Sequence, residues 1–140
     1  MRALVIGCGR VGSTVAKHLT ADGWEVAVID ERAEALERLG ERWEGRFIVG
    51  HGMDTRVLLE AGIEDADAVV VATDGDNTNL VIGQVAQRRF AVDFVVVRVL
   101  DPARAALYSE LGLNTISPTA RAIDELTEWV RSRARPRAQT

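Results

Sequence analysis

Short apolar runs alternate along the chain with longer stretches in which apolar positions recur every three or four residues. Residues 3–6, 25–29, 46–49, 68–72, 94–100 and 114–116 read as strands. They are three to seven residues long and nearly all apolar, the pattern of a parallel sheet covered on both faces. Between them, residues 11–21, 33–43, 54–61, 78–89, 102–111 and 118–132 read as helices. In the second helix Ala35, Leu36, Leu39 and Trp43 fall near one face. Alternation of the two element types implies right-handed crossovers and an α/β layer fold.

The punctuation agrees with these boundaries. Asp22-Gly23 closes the first helix, and Gly40, Gly45, Gly62 and Gly112 stand at element ends. Pro102 and Pro118 fall in first turns, where a missing N–H costs no hydrogen bond. The 140 residues amount to one domain, with 47% hydrophobic and 27% charged positions, a composition that excludes a disordered chain. A net charge of −4 argues against a nucleic-acid surface. The single cysteine, Cys8, permits no intrachain disulfide and no cysteine-based metal site, and the two histidines lie far apart. The first apolar run is far short of the ~20 residues of a membrane helix, so the expected location is cytoplasmic.

The sharpest local signal is Gly7-Cys8-Gly9-Arg10-Val11-Gly12, between a predicted strand and a predicted helix. In a dinucleotide-binding turn the first glycine permits the turn and the second lets backbone approach a pyrophosphate. The third brings helix and strand close together. N–H groups at the helix start then face the phosphates. Asp30, with Glu31 beside it, stands 18 residues past Gly12 at the end of the second strand. A carboxylate there accepts hydrogen bonds from the ribose hydroxyls of an adenosine and repels a 2′-phosphate. The competing role for Asp30 is a helix cap. These features predict a Rossmann doubly wound sheet of six parallel strands, order 3-2-1-4-5-6, with helices on both faces.

Two further clusters follow strands at their carboxyl ends, where open α/β sheets bind ligands. One is Gly50-His51-Gly52-Met53-Asp54, expected near an adenine edge. The other is Thr73-Asp74-Gly75-Asp76-Asn77-Thr78-Asn79, a ligand wall or an ordinary helix-capping loop. Arg98 interrupts an apolar strand and needs an anionic partner, a ligand phosphate or Asp74, or a route to solvent. Cys8 reads as a small residue fitting a crowded turn rather than a reactive thiol.

The combination of Gly7–Gly12 with Asp30, Gly50-His51-Gly52 and residues 76–79 resembles the N-terminal domain of regulators of potassium conductance, also called KTN or Trk-N. Residues 57–62, 65–67, 111–112 and 116–118 extend the match, so that it covers about residues 1–132. It is most similar to the cytoplasmic NAD-binding subunits of Trk-type potassium uptake systems. The resemblance implies a nucleotide-sensing regulator, not an enzyme. It would bind NAD(H), or alternatively AMP, ADP or ATP, and act peripherally on the inner face of the membrane. Its partners would be a membrane-embedded potassium transporter or channel subunit and further copies of itself.

Carried over, Gly7, Gly9, Arg10, Val11 and Gly12 form the phosphate loop, and Asp30 holds the ribose. His51, Gly52 and Met53 lie near the adenosine; Thr73, Asp74 and Asp76 line the other side. One departure is His51-Gly52-Met53, where many relatives carry Asp-Ala-Thr. The expected division is a domain over residues 1–132, ending in a crossover helix, and a basic tail over 133–140. An NAD-dependent oxidoreductase would need a substrate domain, and the predicted elements already occupy the chain. A regulator of a different cation transporter is the other alternative. The stripe of Ile123, Leu126 and Val130 on the last helix, widened by Ala122 and Trp129, is either a cover for the sheet edge or an assembly surface.

Overall fold

The computed structural model describes residues 1–138, so residues 139 and 140 of the predicted tail lie outside it. Six strands form one parallel sheet: β1 (Arg2–Ile6), β2 (Glu25–Asp30), β3 (Arg46–Val49), β4 (Ala68–Val71), β5 (Phe94–Arg98) and β6 (Asn114–Ile116). Their order is β3-β2-β1-β4-β5-β6, as the sequence predicts. β1 is central and paired on both sides, Ile6 standing between Ile29 and Val71. Its alternate residues serve two cores. Leu4 and Ile6 pack with Leu58, Leu80 and Ile82 on one face, and Ala3 and Val5 with Ala16 and Leu39 on the other.

The helices are α1 (Arg10–Ala21), α2 (Thr55–Glu60), α3 (Asp76–Gln84), α4 (Pro102–Glu110) and α5 (Pro118–Arg133). Pro102 and Pro118 open their helices, capped by the side chains of Asp101 and Ser117. Two expected helices differ. The element predicted over 33–43 is a 3-10 helix confined to Ala33–Leu39. The Cys8 thiol donates to the Ala35 carbonyl, which an α-helical turn would have used. The chain then turns at Gly40, and Trp43 reaches back to donate its indole N–H to Thr20 Oγ1 at 2.9 Å.

The helix predicted over 78–89 begins earlier, at Asp76, and passes into a π turn over Val85–Arg89. That turn closes with the Phe90 N–H donating to the Val85 carbonyl. Ala91, just beyond, has a φ of 50°. Left-handed backbone costs a non-glycine residue about 1–2 kcal/mol, against up to about 1 kcal/mol of extra unfolded-state entropy for glycine. Ala91→Gly is therefore expected to raise stability by about 0.5 kcal/mol in urea unfolding.

α5 also departs from one expectation. None of its side chains is buried, and only Ala120 and Thr127 are half-buried. The stripe does not cover the sheet edge: Leu126 and Val130 are 69% and 66% exposed.

Candidate functional site

The order reverses between β1 and β4, and a cleft of about 280 Å³ opens there at the carboxyl ends of the strands. Gly7 makes the turn at its floor with a φ of 102°, and its N–H donates to the Ile29 carbonyl. A Cβ on Gly7 would stand 2.5 Å from the Ala72 carbonyl oxygen. A Cβ on Gly12 would stand 1.8 Å from the Gly7 oxygen, which is how closely α1 approaches the loop. Gly9 is different: nothing lies within 4 Å of its missing Cβ. It lines the cleft and starts α1 without any side-chain cap. Backbone is thus left open to a ligand where orphan helix N–H groups begin.

Asp30 ends β2 at the rim. One carboxylate oxygen accepts the Cys8 N–H at 2.8 Å and the other the Arg32 N–H at 2.8 Å. These bonds fix the carboxylate while each oxygen keeps a lone pair for a ligand hydroxyl; the cap position of the following 3-10 helix is held by Arg32, not by Asp30. Glu31, His51, Gly52, Thr73 and Asp74 also line the cleft. His51 Nδ1 accepts the Met53 N–H at 3.0 Å, so its ring proton sits on Nε2, 3.4 Å from a Glu31 carboxylate oxygen. Gly52 lies so near Ile6 and Ile82 that a Cβ would come within 2.6 Å and 2.8 Å of their methyl groups.

Arg10, Val11, Gly12, Met53, Asp76 and Arg98 are not among the lining residues. Arg10, Val11 and Gly12 form the first turn of α1, and Met53 is exposed. Arg98 stands behind the wall, donating through Nη2 to the Thr73 carbonyl at 2.7 Å, with Asp74 at 3.8 Å. Its Nε is buried without a hydrogen-bond partner among the described residues. Asn79 is fully buried and saturated. Its amide oxygen accepts the Thr73 N–H and hydroxyl, and its NH₂ donates to the carbonyls of Thr73 and Arg98.

The Asp76 oxygens accept the N–H groups of Leu100 at 2.8 Å and Asp101 at 3.0 Å. Burial pushes this carboxyl upward, but those two N–H groups, with Arg104 and Arg98 nearby, hold it below the ordinary carboxylate range.

From the two loop clusters Gly50, Gly75 and Thr78 also line the cleft, and the structure adds Arg32, Ala35 and Arg38. Arg38 had no motif to announce it, because the 3-10 helix carries it to the rim. Cys8 lines the loop, but its thiol is pushed above its ordinary value by burial first and Asp30 next, outweighing Arg38 and Lys17. Iodoacetamide at pH 7.5 is accordingly expected to leave Cys8 unmodified in native protein and to label it on unfolding, as intact mass would show.

An open parallel sheet with a glycine turn at its switch point defines a Rossmann-type domain. The chain belongs to the TrkA-N domain family, which matches residues 3–118. It is 40% identical over 126 residues to the Trk system potassium uptake protein TrkA of Streptomyces coelicolor. That match covers 90% of this chain and 56% of the relative, so the chain spans about half the relative's length. The TrkA-N domain of the inner membrane protein YbaL from Escherichia coli superposes with a TM-score of 0.80 at 21% identity, over 92% of this chain and 96% of that one. The Kef CTD of Shewanella denitrificans in its AMP-bound form superposes with a TM-score of 0.76 at 21% identity, over 96% and 84%. Both likenesses are of fold. No helix among the described residues is long and apolar enough to cross a membrane.

Proposed function

We propose that this domain binds an adenine nucleotide in the switch-point cleft and reports its occupancy to a membrane-embedded potassium transporter or channel subunit. The ligand is NAD(H), with AMP, ADP or ATP as the alternatives. The observation that carries this reading is the convergence of Gly7, Gly9 and Asp30 on one cleft, with open space over Gly9 and both Asp30 oxygens fixed. The loop of Gly7 and Gly9 with the first turn of α1, Arg10, Val11 and Gly12, takes the phosphates. Asp30 takes the adenosine ribose. Glu31, His51, Gly52 and Met53 flank the adenine side; Thr73 and Asp74, backed by Arg98, face the other half of the ligand.

Potassium enters through the Streptomyces relative, which is named for potassium uptake, and nucleotide through the Kef structure, which is named as AMP-bound. In this reading the domain is a regulator without turnover. It sits at the inner face of the membrane through its partner, and the folded unit ends with α5 at Arg133, one residue past the expected boundary, with the rest of the basic tail outside it. Isothermal titration with NADH, NADPH and AMP tests the site. Saturable binding of NADH or AMP with weaker binding of NADPH is expected; no binding by any of the three overturns the reading.

A further inference from the structure

Asp76 stands beside the cleft without lining it, and what it does instead leads away from the ligand. It is the first residue of α3, next to Gly75, which does line the cleft. Both its oxygens are taken by the Leu100 and Asp101 N–H groups in the turn between β5 and α4. The Leu100 carbonyl accepts the Ser117 hydroxyl at 3.1 Å, and that same hydroxyl oxygen accepts the Ala120 N–H at 3.1 Å in the first turn of α5. Ser117 is buried. Three successive strand-to-helix turns along the sheet's rim are therefore stitched together by hydrogen bonds. Upstream, Asn79 and Arg98 hold the Thr73 peptide that begins the cleft wall.

α5 is the element most sensitive to such a chain. With no buried side chain, its direction is set at its root rather than by packing along its length. Sixteen residues make a rod about 24 Å long, so a tilt of about 10° at the root carries the far end through about 4 Å.

We propose that Asp76 is a positioning residue that ties the far wall of the cleft to the root of α5, so that a ligand's hold on residues 73–75 is read out as the orientation of that helix. This rests on the cleft being a nucleotide site. The link itself does not require a ligand, which separates the two ideas experimentally. Asp76 biases α5 only if its loop has two arrangements that a ligand distinguishes, and the size of the response is bounded by that differential affinity.

Hydrogen–deuterium exchange of the full chain, with and without NADH, tests the proposal. Asp76→Asn leaves one acceptor for two N–H groups and sets an NH₂ against the other. Without ligand it should speed exchange about fivefold at Leu100 and Asp101 and, through the chain, at Ala120 and Arg121, the scale of one hydrogen bond's net contribution. Ser117→Ala, which touches nothing in the cleft, should do the same at Ala120; Ser117→Thr, which keeps the hydroxyl, should behave as wild type. NADH should slow exchange over residues 119–121 in wild type. In Asp76→Asn it should bind within about threefold of wild type yet leave α5 unchanged, because Asp76 does not line the cleft and both its oxygens are taken by backbone N–H groups.

Unchanged exchange at Ala120 and Arg121 in ligand-free Asp76→Asn overturns the link. So does a ligand response at α5 that survives undiminished in either Asp76→Asn or Ser117→Ala. If Asp76→Asn does not fold, the Ser117 pair decides. If NADH, AMP and NADPH all fail to bind wild type, the nucleotide reading falls and the ligand-free comparison still decides the link.

Discussion

Replacing Asp30 by alanine is expected to weaken NADH binding by about 100-fold or more and to narrow the preference for NADH over NADPH. Two hydrogen bonds from ribose hydroxyls to a carboxylate contribute about 1.5–3 kcal/mol each, and 100-fold corresponds to about 2.7 kcal/mol. The direction of the second effect distinguishes recognition from damage. Asp30 also accepts the N–H groups of Cys8 and Arg32, so its loss unsettles the loop and lowers affinity for every nucleotide. Loop damage alone leaves the ratio of the two cofactors unchanged. Removal of a negative charge facing the ribose favours the 2′-phosphate selectively, and Arg32 and Arg38 remain on the same rim to receive it. Calorimetric titration of both cofactors into wild type and variant, well below the variant's melting temperature, gives the two ratios. An unchanged ratio with uniformly weaker binding would leave Asp30 as a loop support only.

How much of this was legible in the sequence follows from which contacts are local. Five of the six strands are built on continuous apolar runs, β6 with Asn114-Thr115-Ile116 being the exception, and the glycine loop sits between a strand and a helix. Sheet order and cleft position were therefore readable. The 3-10 helix was not, since it depends on bonds from Cys8 to Ala35 and from Trp43 to Thr20, each spanning more than twenty residues. The π turn is closed by Phe90 and held by Gln87, whose amide reaches the Gly112 carbonyl. No periodicity encodes that distant partner.

At the site, Gly7, Gly9, Asp30, His51 and Thr73 follow from local pattern, and all line the cleft. Asp76 looks the same in sequence, a carboxylate in a loop before a helix. Only the fold shows that its oxygens belong to backbone N–H groups 24 and 25 residues further on. Arg98 interrupts an apolar strand, which signalled a need for a partner; that the partner is largely the Thr73 carbonyl is a fact of tertiary structure.

Leu126→Glu is expected to leave the protein monomeric where wild type self-associates through α5, and Trp129→Ala to weaken association about tenfold or more. At 100° per residue the half-buried Ala120 and Thr127 fall on one line along α5. Ile123, Val130 and Leu126 lie successively further round to one side of it and Trp129 opposite it, and they are 53%, 66%, 69% and 54% exposed. Asp124, Glu125, Glu128 and Arg131 occupy the remaining face. A continuous apolar strip on a helix with nothing buried beneath it gains nothing from folding. Full burial is worth about 1.5–3 kcal/mol for each large aliphatic side chain, so a second copy is the surface it suits best.

Arg133 lies over the Trp129 ring at 3.6 Å, covering one ring face and leaving the rest of the side chain available. Sedimentation velocity from low to high micromolar protein, with and without NADH, supplies the measurement. A dimer or larger species that Leu126→Glu dissolves, with an unchanged melting temperature, is the expected result. The unchanged melting temperature matters, because a residue already exposed in the monomer contributes little to its stability. A wild-type chain that sediments as a monomer at every concentration, with and without nucleotide, would leave the strip free for another protein. Dissociation accompanied by a large fall in melting temperature would instead mean that Leu126 supports the monomer itself.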